Sequence, residues 1–295
     1  MVAQASTALL PVTLLTLLTL LSAAIATAQA SINEGFVVVA PGDGTLLRAR
    51  DQVRAARSLI RTSTRGETAD TGSHPVVLRL GAGIFRLADT FVLGSLDSNT
   101  TWMGDGAGAS IIEVEHYSAA AIQLKAASNI TLRGVTLRRS HRSNIATTTK
   151  TPVTAVCEMW NGTGAVLHLE HGNDCRVLES QVVGGVAVHG GWRHTLDRLD
   201  LAGSTHGTAS GCLTFADAGE SRSLKPCGHT ISNSQIHDCT NADGIGLANV
   251  TGALVTHNEV RHVGCAGIRV DGNIKGVSTV RDTVSVSAPA VCPPQ

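Results

Sequence analysis

Acidic and histidine side chains recur beside short apolar segments in the second half of the chain. Asp238 and His262 occupy equivalent positions in two neighbouring segments, and Asp243 follows just across a turn. Two carboxyl groups and an imidazole that lie close together can supply the acid and base of glycosidic cleavage, and the carboxyl separation then decides the stereochemical outcome. Aspartate and histidine are also ordinary turn residues, so a purely structural interpretation stays open.

A second candidate group is an arginine and a carboxylate on one strand. Arg269 and Asp271 flank Val270, so a strand would place their side chains next to each other on one face. Such a pair can bind a sugar acid, or remove a proton next to a carboxylate in an elimination. The alternative is a surface ion pair without a catalytic role.

The sequence gives no pattern of metal ligands. Of the twelve histidines, His168 and His171 have the spacing closest to a ligand pair, but a strand would point them to opposite faces. Asp217, Asp243 and Asp271 are too scattered in register for a calcium site. We therefore expect neither a metal nor another cofactor.

Aromatic side chains, which commonly line sugar sites, are scarce, at three Trp, one Tyr and four Phe. Trp160 and Trp192 are the candidates for a substrate-binding groove. Trp192 directly follows Gly190 and Gly191, so a turn can expose it, although a packing role is an equal alternative.

Two apolar patterns predict the elements that position these residues. Apolar pairs one residue apart recur at Ile122/Leu124, Leu167/Leu169, Val186/Val188, Leu213/Phe215, Ile245/Leu247 and Ile268/Val270. Pairs five residues apart recur at Leu132/Leu137, Val177/Val182, Leu196/Leu201, Ile231/Ile236 and Val255/Val260. The step from one pattern to the next is ten residues in four of the coils, whereas the spacing between coils varies. This combination is typical of stacked coils with insertions, here at 139–164 and 217–229.

The predicted fold is all-β, a single-stranded right-handed parallel β-helix with an N-terminal capping α-helix. The helix is predicted over residues 45–62, where Thr45 is a plausible N-cap. Its apolar stripe is expected from Leu47, Val53, Ala56, Leu59 and Ile60, and its arginines are interpreted as a solvated face.

The first thirty residues predict a secretory signal peptide, with an apolar run that ends in Ala28-Gln29-Ala30. We expect a secreted, monomeric protein without stable membrane insertion after cleavage, with residues 31–74 as lead strand and capping helix and 75–295 as the β-helix domain. The near-zero net charge argues against nucleic acid as a partner. Glycosylation sequons stand at Asn99, Asn129, Asn161 and Asn249. Seven cysteines predict up to three disulfides and one leftover thiol.

Two segments in order, FVVVAPGDGTLLRARDQVRAAR and VVLRLGAGIFRLADTFVLGSLDSNTTWMGDG, resemble the N-terminal part of right-handed β-helix (pectin lyase-like) proteins related to glycoside hydrolases. The matching positions are Gly83, Phe85, Arg86, Leu87, Asp97 and Ser98. The later segments NSQIHDCTNADGIGL and HNEVRHVGCAGIRVDG are similar to the family's stacked repeats. The resemblance implies a longer solenoid with catalytic carboxylates in middle or later coils, so the chain is either a fragment or a shortened relative.

Three hypotheses for function follow. The first is a glycoside hydrolase-like protein that acts on a polysaccharide through Asp238, Asp243 and His262, with Arg269 and Asp271 as the reserve site. The second is a non-catalytic extracellular solenoid that binds glycans or partners. The third is a calcium-dependent polysaccharide lyase, which would leave an unsaturated sugar end.

Overall fold

The computed structural model describes residues 36–63, 75–116, 120–140, 165–203, 212–216, 227–239, 242–271, 279–281 and 284–286. The predicted signal peptide, Trp160 and Asn161 lie outside these ranges, so the expectations for them stay predictions. Among the described residues, no helix is long and apolar enough to cross a membrane.

The described residues form one α-helix, a short 3-10 turn and twenty-four strands in three parallel sheets. Helix α1 spans Thr45–Ser63, and the 3-10 turn spans Ser95–Asp97. The first sheet consists of β1 (Phe36–Val39), β2 (Val76–Leu80), β5 (Thr100–Gly104), β8 (Thr131–Arg133), β11 (Arg176–Leu178), β14 (Thr195–Asp197), β17 (Thr230–Ser232), β20 (Leu254–Thr256) and β23 (Thr279–Arg281).

The other two sheets have the same sequential order. The second consists of β3 (Gly83–Leu87), β6 (Ser110–Val114), β9 (Thr136–Arg139), β12 (Gln181–Val183), β15 (Asp200–Ala202), β18 (Gln235–Cys239), β21 (Glu259–Val263) and β24 (Val284–Val286). The third consists of β4 (Phe91–Leu93), β7 (Ile122–Lys125), β10 (Ala165–Glu170), β13 (Gly185–His189), β16 (Leu213–Ala216), β19 (Ile245–Ala248) and β22 (Ile268–Asp271). The chain visits the sheets in turn and pairs each strand with the next coil, so the predicted right-handed parallel β-helix is confirmed.

The two apolar patterns set the register of the coils. In the third sheet Leu213 pairs with Val186 on one side and with Ile245 on the other. In the first and second sheets, Val177 and Val182 pair with Leu132 and Leu137. These side chains line the inside of the solenoid and are almost completely buried, which is why single coils cannot fold alone.

Helix α1 packs on the first coil through a face that includes the predicted Val53 and Ala56 but not the predicted Leu47. Leu46, Ala49, Val53 and Ala56 are buried, whereas the predicted Leu47 is 40% exposed. The side chains of Leu59 and Ile60 lie outside the described residues. Side chains tilt toward the N-terminus of a helix, and of two adjacent leucines only one can face the sheet.

The expectation that the helix arginines form a solvated face holds for the exposed Arg48 but is wrong for Arg54 and Arg57. Arg54 makes a two-pronged ion pair with the buried Asp97 in the 3-10 turn. Arg57 donates hydrogen bonds to the carbonyls of Ser98 (2.8 Å) and Asn99 (3.2 Å). These contacts fasten the capping helix to the corner between the third and first sheets.

Polar side chains also stack inside that corner. Cys175, His194 and His229 precede equivalent first-sheet strands in successive coils, and each is buried. The imidazoles of His194 and His229 are parallel, with ring centroids 5.1 Å apart. Burial lowers the pKa of His194 to about 4 and that of His229 to about 3, so both are neutral at pH 7.

The cysteines differ from the expected count. Cys212 and Cys239 form a disulfide, and Cys265 is also disulfide-bonded. Cys175 and Cys227 are thiols, so the expectation of one leftover thiol is wrong.

Candidate functional site

Asp238 and His262 meet on the outer face of the second sheet, as their equivalent positions predicted. Strands β18 and β21 pair so that His237 lies opposite Arg261 and Cys239 opposite Val263. Both Asp238 (φ 58°) and His262 (φ 51°) have left-handed backbone, which aspartate and histidine adopt more readily than most residues. Asp238 Oδ1 lies 3.4 Å from His262 Nδ1.

Two residues that the sequence did not single out extend this pair into a chain of polar groups. His237 contacts Asp238 Oδ2 through Nδ1 and Asp200 Oδ1 through Nε2, both at 2.8 Å. Asp200 in turn accepts a hydrogen bond from Gln181 at 2.9 Å. The hydrogen bond from His237 holds the pKa of Asp238 below its usual value. We call Asp200, His237, Asp238 and His262 the aspartate–histidine chain.

Asp243 belongs to another group. It is 5% exposed and accepts a hydrogen bond from the backbone amide of Ala266 at 2.8 Å. Arg269 lies between two carboxylates, with Nη1 3.8 Å from Asp243 Oδ2 and Nε 2.7 Å from Asp271 Oδ2. The structure thus brings Asp243 together with the predicted pair Arg269/Asp271, whereas the recorded contacts of Asp238 are with His237 and His262.

The opposite end of the third sheet carries a polar cluster that the sequence analysis did not identify as a site. Five side chains on its outer face come from three successive coils, and we call them the third-sheet cluster: Gln123 and Lys125 on β7, His168 and Glu170 on β10, and His189 on β13. Glu170 pairs in register with both Lys125 and His189.

Contacts within the third-sheet cluster converge on Glu170. Its Oε1 accepts a hydrogen bond from Gln123 Nε2 at 3.0 Å and lies 4.0 Å from His168 Nδ1. Burial lowers the pKa of His189, and the nearby Glu170 opposes this shift. The cluster therefore holds a carboxyl group, a lysine and an imidazole whose lowered pKa favours the neutral form.

Small side chains separate the two polar groups of the third sheet. The strand pairing aligns two outward rows as the apolar pairs predicted. They are His189/Ala216/Ala248/Asp271 and Ala187/Thr214/Gly246/Arg269. Glu170 and Asp271 stand four strands apart in one row, which at about 4.8 Å per strand is about 19 Å. That is too far for the two carboxyl groups to act on one glycosidic bond, and instead fits the length of an extended polymer.

The insertions predicted at 139–164 and 217–229 lie largely outside the described residues, so their expected role stays a prediction. Loops on a rigid scaffold are common carriers of function.

The remaining predicted residues lie at corners of the solenoid. Trp192, three residues after His189, is half-buried. Its backbone forms an isolated parallel β-bridge with that of Asn173. Asn129 donates a hydrogen bond to the Asn99 side chain at 2.8 Å, and Asn249 is exposed at the turn after β19. Among the described residues, no group of three or more His, Cys, Asp or Glu side chains is arranged to hold a metal ion.

No family model and no curated protein matches the chain. Similar solved structures include the Dettilon tailspike protein, with 11% identity, a TM-score of 0.45, and coverage of 74% of this chain and 42% of that one. The Agl-KA catalytic domain has 16% identity, a TM-score of 0.46, and coverage of 81% and 40%. Pectin methylesterase PemA from Erwinia chrysanthemi has 11% identity, a TM-score of 0.41, and coverage of 66% and 72%.

The chain spans about two fifths of the length of the first two of these structures. At such low identities the likeness concerns the fold alone, and the chemistry must be argued from the residues of this chain.

Proposed function

We propose that this chain acts on an extended polysaccharide that lies along the outer face of the third sheet. The observation that supports the proposal is the arrangement of that face, where two polar groups in register are separated by a floor of small side chains. Small residues let a sugar ring approach the sheet closely, and the polar groups at each end can bind its hydroxyls. The aspartate–histidine chain is a poorer candidate, because its carboxylates already bind imidazoles.

The third-sheet cluster supplies the groups for glycosidic hydrolysis. His189 has a lowered pKa, so its neutral imidazole is suited to activate a water molecule at neutral pH. Glu170, which pairs with His189 from the preceding coil, acts as the general acid in its protonated form: it gives its proton to the leaving oxygen while His189 takes one from the attacking water. Gln123 orients Glu170 through the 3.0 Å hydrogen bond. Asp243, Arg269 and Asp271 position the far end of the polymer rather than react with it.

Lys125 supports elimination as a second candidate reaction. It pairs in register with Glu170 and places a cation in the row that also contains His189. Lys125 and His189 are two strands apart, about 10 Å, so the cation can stabilise a uronate carboxylate while the neutral imidazole removes the proton next to it. This route needs a uronic acid in the polymer, whereas hydrolysis does not.

The test is to incubate the full-length protein with neutral and acidic polysaccharides and to follow reducing ends and unsaturated products together. Hydrolysis yields reducing ends alone, and elimination yields both. We expect Glu170→Gln and His189→Gln each to lower the rate at least about 100-fold, the scale of general acid–base catalysis. Glu115→Gln is the matched control, because Glu115 is an exposed carboxylate directly after strand β6 of the second sheet.

Full activity of both variants would refute the assignment of the reaction to the third-sheet cluster. Binding of a polysaccharide without either product would instead favour the non-catalytic, glycan-binding hypothesis.

A further inference from the structure

Both ring nitrogens of His237 face carboxylate oxygens. Nδ1 lies 2.8 Å from Asp238 Oδ2, and Nε2 lies 2.8 Å from Asp200 Oδ1. A neutral imidazole has one donor and one acceptor, whereas an imidazolium has two donors. An ionised carboxylate can only accept, so a neutral His237 would set one lone pair against another oxygen. Only the doubly protonated ring satisfies both contacts.

These contacts connect neighbouring coils. Asp200 lies on β15, His237 and Asp238 lie on β18, and His262 on β21 contacts Asp238 at 3.4 Å. The residue after Asp238 is Cys239, whose disulfide to Cys212 joins the second sheet to the start of β16.

The other charges that face His237 are paired among themselves. Arg261, its register partner on β21, donates to Gln235 at 3.4 Å and lies 3.5 Å from Glu259. On the opposite side, β15 presents Ala202 in register with His237. Among the described residues, the carboxylates in contact with the ring are therefore Asp200 and Asp238.

We propose that His237 is held as an imidazolium between Asp200 and Asp238, and that this cation is a pH-sensitive latch between coils of the second sheet. The latch is independent of the polysaccharide function. Burial disfavours the charged ring, but the hydrogen bonds with Asp238 and Asp200 outweigh it and raise the pKa of His237.

The direction of the pH response follows from this shift. A raised pKa in the folded state means that the latch stabilises the fold fully below the ordinary imidazole pKa of about 6.5. The stabilisation is lost as the pH rises through the higher, folded-state pKa. The coils joined by the latch are then expected to separate more easily in alkaline solution.

The experiment is a histidine titration by nuclear magnetic resonance on the full-length protein, with ¹⁵N-labelled imidazoles assigned through bonds. We expect both nitrogens of His237 to remain protonated above about pH 6.5, with a midpoint above that of free histidine. Asp200→Asn and Asp238→Asn should each lower the midpoint. Asp89→Asn, which changes an exposed carboxylate on the turn between β3 and β4, should leave it unchanged.

A stability measurement adds a second readout. The melting temperature of His237→Gln should fall below that of the unmodified protein at about pH 5.5, and the difference should shrink by about pH 8.5. A His237 midpoint at or below that of free histidine, or one unmoved by both aspartate variants, would overturn the proposal. The His237 titrations in Asp200→Asn and Asp238→Asn decide the question even if His237→Gln does not fold.

Discussion

Removal of the Arg54 side chain from helix α1 should destabilise the whole N-terminal end of the solenoid. Asp97 has a side chain only 2% exposed, and it accepts hydrogen bonds from Arg54 Nε at 2.7 Å and from the Gly94 amide at 2.8 Å. Arg54→Ala leaves this buried carboxylate without its cation. Breaking such a pair costs about 3–5 kcal/mol when both groups are buried.

The Arg54 side chain is 29% exposed, so water screens part of the interaction and we expect a loss of about 2–4 kcal/mol. For a chain of this size that lowers the melting temperature by roughly 5–15 °C. Scanning calorimetry of the full-length protein is the assay. Arg48→Ala is the control, since Arg48 is exposed on the same helix.

A double variant that replaces both charged partners separates the effect of the charges from that of side-chain packing. Arg54→Met combined with Asp97→Leu should recover much of the loss, because no uncompensated charge then remains buried. A melting temperature for Arg54→Ala equal to that of Arg48→Ala would refute the idea that the helix is fastened by this ion pair.

Three further predictions concern the interior and the cross-link. Because burial lowers the pKa of His194 to about 4 and that of His229 to about 3, stability should fall as the pH drops below about 6.5. By about pH 4 the protonation of each imidazole costs on the order of 2–3 kcal/mol of folding free energy. The variants His194→Leu and His229→Leu should each lose less stability on acidification, as measured by urea unfolding. Burial raises the pKa of Cys175 to about 11, so native protein should resist its alkylation at about pH 8, and mass spectrometry should find the adduct only after denaturation. Cys212→Ala with Cys239→Ala should cost about 3–4 kcal/mol in urea unfolding, given a sequence separation of 27 residues.

The fold could be predicted because each coil repeats the same inward positions. Pairs such as Val186/Val188 and Leu213/Phe215 mark strands, and their constant spacing to the next pattern fixes the register of the stack. The face of helix α1 was harder to predict. Adjacent Leu46 and Leu47 fit the same apolar stripe, and only packing against the first coil decides which one is buried.

The candidate sites could be predicted only in part. The register brought Asp238 to His262, and Arg269 to Asp271, as expected. His237 was missed because the outward positions of a strand carry no apolar pattern. Its position next to Asp238 in the sequence could have identified it.

The third-sheet cluster was missed for a related reason. Its members are far apart in sequence, and the hydrogen-bonded pair Gln123 and Glu170 is separated by 47 residues. The apolar pairs Ile122/Leu124 and Leu167/Leu169 define the register that aligns them. Extending the outward row by two coils before His189 would have revealed Glu170 and then Lys125.

The most direct test of the proposed function is a binding measurement with a blocked third-sheet face. Ala248→Trp places a large side chain on the small-residue row between His189 and Asp271, and Ala202→Trp makes the same change on the outer face of the second sheet. Calorimetric titration with a polysaccharide that binds the unmodified protein should show at least about a tenfold weaker affinity for Ala248→Trp, about 1.4 kcal/mol, and no change for Ala202→Trp. Unchanged affinity in a folded Ala248→Trp, or an equal loss in both variants, would contradict the claim that the glycan lies along the third sheet.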